Sequence, residues 1–159
     1  MQNNFSIEDL KKFKRNFSNK KISDDLLERV YTSRLLGQNS NLVLHGGGNT
    51  SVKSQTRDVD GILHNIIYVK GSGSDLATIK AADFPAVKLK PLLNILKKRQ
   101  LSDEQMVGFL RKNLINIKSS NPSVETLVHA LIKEKFVDHT HATPILEITN
   151  RKDGMALCK

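Results

Sequence analysis

A chain of 159 residues, 38% hydrophobic and 26% charged, has the length and composition of one water-soluble domain with a real core, not of a disordered chain. No apolar run approaches the roughly 20 residues of a membrane span, the N-terminal MQNNFSIEDLKK lacks a signal peptide's apolar core, and the one cysteine, Cys158, excludes a disulfide framework, so the expectation is a cytoplasmic protein with no membrane partner. The net charge of +9 comes from scattered basic residues, densest at Lys11, Lys12, Lys14 and Arg15 and at Lys97, Lys98 and Arg99, and with two Tyr and no Trp to stack on bases the pattern predicts no nucleic-acid partner.

In chain order, Ser6 opens S-I-E-D, and Leu10, Phe13 and Phe17 follow at helical spacing. This predicts a helical extension over residues 1–22. Ser23 caps a second predicted helix through Leu36, stopped by Gly37. Asn41–His45 reads as a short strand running into glycines, and Ile62–Lys70, rich in Ile, Val and Tyr, as a second strand ending in another glycine loop. A turn follows near Thr78–Asp83, and Pro91 opens a helical run, LLNILKK. Ser102 with Gln105 caps a helix to about Leu114, and Asn121-Pro122-Ser123 starts the next. Phe136–His141 and Ile145–Thr149 read as strands. Hairpin-like spacing around residues 42–70 makes part of the sheet antiparallel. The expected fold class is α/β: a three-layer α/β/α domain over residues 1–159, with a mixed, mostly antiparallel central sheet and helices on both faces.

Three features carry chemistry. His139 and His141 stand at i and i+2, which on a strand puts both on one face, about 7 Å apart at the backbone. Such a pair is either two hydrogen-bonded strand residues or half of a site for an ion bound near 2.0–2.1 Å. In PSVETLVHALIK, the residues Val124, Leu127, Val128, Leu131 and Ile132 form an apolar stripe, and Glu125 and His129, four apart, stack on another face. Taken alone, Glu125 reads as an ordinary glutamate compensating a helix dipole. Finally, HGGGNTS (His45–Ser51) and KGSGSD (Lys70–Asp75) are small-residue loops that each follow a predicted strand and expose donors suited to a phosphate. Neither fits the P-loop or dinucleotide fingerprint. Together with a carboxylate and H-x-H, they suggest a small phosphorylated ligand beside a metal.

These residues resemble the class II aldolase/adducin family. GGGNTS is similar to its G-N-x-S phosphate loop, KGSGSDL to its second phosphate loop, PSVE to its P-S-S-E motif and HTHA to its H-x-H-A zinc motif, in the family's order. VKGSGSDLATIKAADFPAV, LSDEQMV, NPSVETLVHAL and KFVDHTHATPILEITN look closer still to the N-terminal aldolase half of bifunctional rhamnulose-1-phosphate aldolase/alcohol dehydrogenases. The resemblance implies Zn2+-dependent cleavage of a ketose 1-phosphate, such as rhamnulose 1-phosphate, to dihydroxyacetone phosphate and an aldehyde. It implies His139 and His141 as zinc ligands and Glu125 as the catalytic base. Asn49, Thr50, Ser72, Gly73 and Ser123 would hold the phosphate, with Lys70 a weaker addition.

The sequence departs from the family in several places. Only 18 residues follow His141, none of them histidine, so the family's third zinc histidine and its C-terminal tyrosine have no counterpart. Val124 stands where P-S-S-E has a second serine, and Thr143-Pro144 where a small-acidic pair is usual. The expectation is an aldolase domain truncated at its C-terminus. It would be weakly active or inactive alone, and would assemble as a homo-oligomer or with a C-terminal partner polypeptide. The other reading is a non-catalytic, adducin-like binding or structural module.

Overall fold

The structure, a computed structural model, describes residues 4–17, 21–95 and 101–158. Seven α-helices among them are α1 Ile7–Arg15, α2 Asp24–Gly37, α3 Leu89–Ile95, α4 Asp103–Lys112, α5 Thr126–Leu131, α6 Thr143–Thr149 and α7 Gly154–Leu157. Four strands are β1 Asn49–Arg57, β2 Leu63–Val69, β3 Ala86–Lys88 and β4 Phe136–His139. They form one sheet in the order β3-β2-β1-β4, with every pairing antiparallel.

Strand β2 shows why helices cover both faces. Period-2 alternation sends its apolar residues both ways. Ile67 and Val69 join Val87, Leu92, Leu110, Leu114 and Ala130, a cluster supplied by α3, α4 and α5. Tyr68 packs on the opposite cluster of Leu26, Val30, Val43, Leu76, Ile79 and Phe84, supplied by α2, the turn before β1 and the segment after β2. The predicted caps of α1, α2 and α4 are formed. Ser6 Oγ accepts from Asp9 N at 3.2 Å, Ser23 Oγ from Leu26 N at 3.4 Å, and Ser102 and Gln105 close a reciprocal box. Phe17 lies beyond the end of α1, and the last part of LLNILKK falls outside the described residues.

Four expectations are corrected. Asn41–His45 is a turn, not a strand: Leu42 N and Val43 N both donate to Asn39 O, at 2.9 and 3.1 Å. The strand starts later, at Asn49, and its polar sequence NTSVKSQTR hid it from a search for apolar runs. Ile145–Thr149 belongs to a helix, because Pro144 sits in its first turn, where proline is pre-organised for helix. The segment after Pro122 does not enter a helix at once: α5 begins at Thr126 with Glu125 as its N-cap residue. Most of the apolar stripe turns away from the core, Leu127 alone of its five residues packing against the cluster of Ile67 and Val87. Val124, Val128, Leu131 and Ile132 are 52%, 59%, 57% and 42% exposed, while Thr126, His129 and Ala130 are buried. Last, β4 stops at His139, so His141 stands in the loop beyond it.

No helix among the described residues is long and apolar enough to cross a membrane.

Candidate metal centre

Glu125, His139 and His141 converge. One ligand atom from each lies within 4.8 Å of the others, and the two imidazole centroids are 4.8 Å apart. Two elements set this geometry. His139 ends β4 and pairs across the sheet with Asn49, the first residue of β1. Glu125 enters from the opposite side, where the chain turns into α5. His139 Nδ1 lies 3.2 Å from Glu125 Oε1, and Asn49 Nδ2 donates to Glu125 Oε2 at 2.8 Å. Ser123 Oγ is 3.5 Å from the same Oε2 and accepts from Glu125 N at 3.3 Å.

The first glycine loop closes against this cluster. Gly48 takes φ +67°, and a Cβ there would meet Val43 Cγ1 at 2.6 Å and His139 O at 2.8 Å, so only glycine lets the loop lie against the end of β4. A Cβ on neighbouring Gly47 would stand 3.4 Å from His141 Nδ1. The second loop is stitched to the PSVE segment: Ser72 N donates to Asn121 O at 2.9 Å and Ser123 N to Lys70 O at 3.3 Å. Gly73, at φ +80°, and Ser72 are exposed at its tip. Lys70 binds the two loops together. The residue is 4% exposed, and its ammonium donates to Gly46 O at 2.9 Å and Ser74 O at 2.7 Å.

The electrostatics follow from partial burial. Burial pushes the Glu125 carboxyl up, but the Asn49 amide and the neighbouring His139 outweigh it and hold it below the usual glutamate range. Glu125 is therefore an anion at neutral pH. Burial pulls the Lys70 ammonium below its ordinary value against the opposing pull of Glu125 and Asp75. Burial also drives His129 down to about 4, despite the nearby Glu125, so its imidazole is neutral at pH 7. A cleft of about 420 Å³ opens beside the cluster, lined by Glu125, His129, His139, Val128, Ile132 and Val137 among others.

Of the residues singled out from the sequence, Asn49, Ser123, Glu125, His139 and His141 are brought together, with Ser72 and Gly73 on the adjoining loop. Thr50 is not. Strand alternation turns its side chain to the other face, where its Oγ1 lies 2.8 Å from Ser33 Oγ of α2, both fully buried. A phosphate contact from the Thr50 hydroxyl is therefore corrected. Sequence reasoning also left unused Ser51 and His129, whose Oγ and Nδ1 are 2.8 Å apart, and Arg29, a buried cation 2.7 Å from Asp138 Oδ1. The missed signal was N-x-S-x-K in β1, a row of polar residues all on one strand face.

Two imidazoles and one carboxylate fit a zinc-type ion: three protein ligands with a coordination position left open is the donor set of a catalytic zinc. The half-exposed side chains of Glu125 and His139, at 36% and 40%, leave the open position accessible. Asn49 Oδ1 is buried without a partner, a spare acceptor at the same place.

The chain matches known proteins along most of its length. The sequence model described as the class II aldolase and adducin N-terminal domain matches residues 28–157. A protein of Bacillus subtilis (strain 168) named "Uncharacterized oxidoreductase YuxG" is 42% identical over 132 residues, which are 83% of this chain and 19% of that protein. The solved N-terminal class II aldolase domain of a conserved protein from Thermoplasma acidophilum superposes with a TM-score of 0.81 at 41% identity, covering 96% of this chain and 65% of that one. The chain thus spans less than two thirds of either relative.

Proposed function

The chain belongs to the class II aldolase/adducin family, and from that premise we propose that it carries the metal site of a zinc-dependent carbon–carbon lyase that cleaves a ketose 1-phosphate, such as rhamnulose 1-phosphate, to dihydroxyacetone phosphate and an aldehyde. The observation that carries this reading is the convergence of Glu125, His139 and His141 beside two glycine loops joined through Lys70.

Each residue has a task in that reaction. His139, His141 and, in the free state, Glu125 would hold the ion, which would supply Lewis acidity to a ketone oxygen. The Ser72–Gly73 loop, with Ser123 beside it and the Lys70 charge beneath, receives the phosphate. Glu125 is the base. Asn49 anchors its Oε2, which leaves Oε1 to accept the proton of the hydroxyl on the carbon beta to the ketone. As that proton leaves, the bond between the alpha and beta carbons breaks and the aldehyde departs. The electron pair stays on the three-carbon phosphate fragment, and a proton returned to its alpha carbon completes dihydroxyacetone phosphate. The exposed apolar stripe of Val124, Val128, Leu131 and Ile132 supports association with another copy of the chain or with a further polypeptide.

The test is to load the protein with Zn2+, supply rhamnulose 1-phosphate and follow dihydroxyacetone phosphate. Release that disappears on chelation and in Glu125→Gln supports the reading. Phosphate-ester hydrolysis without carbon–carbon cleavage, or cleavage unaffected by Glu125→Gln, contradicts it.

A further inference from the structure

Strand β1 presents Asn49, Ser51 and Lys53 on one face, and each meets α5 at a successive level. Asn49 Nδ2 reaches the Glu125 carboxylate at 2.8 Å, and Ser51 Oγ lies 2.8 Å from His129 Nδ1. Lys53 Nζ donates to His129 O, Ile132 O and Glu134 O at 3.2, 2.6 and 2.7 Å, closing carbonyls at the C-terminal end of α5. The periods match. Two strand residues advance about 6.6 Å and four helical residues about 6 Å, so consecutive levels register without strain.

We infer that Ser51 and His129 are a positioning pair for the metal centre, the middle level of a polar ladder that sets the height and aim of Glu125. His139 is placed by backbone pairing to Asn49, while Glu125 comes in on a different element. A carboxylate and an imidazole arriving from two elements share an ion only if the elements keep a fixed offset. The backbone of β1 fixes one of them and the ladder fixes the other. Asn49 is buried too, at 1%, but it meets Glu125 where that carboxylate is 36% exposed, whereas Ser51 and His129, at 0% and 2%, tie the helix to the strand one turn further in. A hydroxyl bonded to an imidazole contributes little net stability, because both lose water to meet. What the pair adds is direction, since a hydrogen bond at 2.8 Å tolerates little sliding.

This inference rests on the metal reading of Glu125, His139 and His141, and its test separates the two. Cobalt(II) is titrated into wild type, Ser51→Ala, His129→Gln and His129→Asn, with melting temperature recorded alongside. Asn places a polar atom near the Nδ1 position and Gln near Nε2. The ladder predicts that Ser51→Ala and His129→Gln bind cobalt about 10–100-fold more weakly, as when a group behind a metal ligand is removed. His129→Asn should keep wild-type affinity within about threefold at a similar melting temperature. Wild-type affinity in folded Ser51→Ala overturns the inference, and that variant decides alone should the His129 variants not fold. A wild type that binds no cobalt overturns the metal reading instead, and the crystal structure of Ser51→Ala then decides the ladder. Loss of the 2.8 Å Asn49–Glu125 bond upholds it; retention overturns it.

Discussion

The two faces of β1 carry polar side chains to opposite ends. Toward α2, Thr50 meets Ser33, Ser54 donates to Asp25 at 2.7 Å, and Arg29, 1% exposed, reaches Ser51 O and Asp138 across the β1–β4 seam. Apart from Arg29 Nε, those groups find hydrogen-bond partners within the protein, with Asp138 standing half in water. Toward α5, Asn49, Ser51 and Lys53 climb to a cluster that ends in solvent, with a carboxylate and two imidazoles facing one another. One strand thus serves as scaffold on one side and as instrument on the other. Substitutions on the α2 face should cost stability and spare the metal, and those on the α5 face should do the reverse.

Arg29→Met is expected to have the largest effect. It removes a buried cation from Ser51 O, Val137 O and Asp138. Asp138, half in water, is solvated in its place, so the loss falls at the lower end for a broken buried pair, about 3 kcal/mol. Urea denaturation measures it, and cobalt affinity in the still-folded fraction should change little. An Arg29→Met chain as stable as wild type would break the comparison from the scaffold side.

His141→Ala is the mirror experiment. Cobalt affinity should drop by about 100-fold or more, beyond the cost of disturbing a group behind a ligand. The ring stands exposed past the end of β4, so stability should stay within about 0.5 kcal/mol. A large fall in melting temperature would move His141 to the scaffold.

The third prediction crosses the boundary, because His129 lies on the α5 face yet is buried. Burial lowers its pKa in the fold to about 4 from the ordinary 6.5. The unfolded chain therefore takes up a proton that the folded chain refuses. This contribution to stability is fully present above about pH 6.5 and is lost as pH falls toward 4, with a slope approaching about 1.4 kcal/mol per unit. Denaturation midpoints of wild type and His129→Asn across that window isolate it. Parallel curves would show that His129 is not held neutral.

Thr50→Val should have the smallest effect, about 1 kcal/mol for one hydroxyl pair, because Ser33 Oγ still donates to Arg29 O. Inorganic phosphate binding should be unchanged in a thermal-shift titration, since the Thr50 hydroxyl faces away from the loops. Weaker phosphate binding would return Thr50 to the cradle.

How much of this was legible in the sequence differs by element. Helices with capping signals, α2 and α4, and the apolar strand β2 could be read because local chemistry fixes them. β1 could not, since its polar residues are satisfied by partners far along the chain, at Glu125, His129 and Asp25. The α5 stripe misled for a related reason: Val128 and Leu131 have helical spacing, but the buried side of that turn belongs to His129, bonded to Ser51 of β1, and to Thr126, bonded back to Ser123 O. Glu125, His139 and His141 could each be singled out from the sequence, through H-x-H and the PSVE carboxylate. What spacing could not supply was the meeting of Glu125 with both imidazoles, which depends on how β4 pairs with β1. Lys70 stood in view at the head of its glycine loop, and only the fold shows it closing on Gly46.

The central claim is that the open face holds one divalent ion through Glu125, His139 and His141. Metal content of the purified protein after Zn2+ loading and desalting tests it most directly, beside Glu125→Ala and His139→Ala prepared the same way. The account predicts about one zinc per wild-type chain and far less in both variants, with their folds intact. A wild-type chain that retains no zinc, or variants that retain as much as wild type, would contradict it.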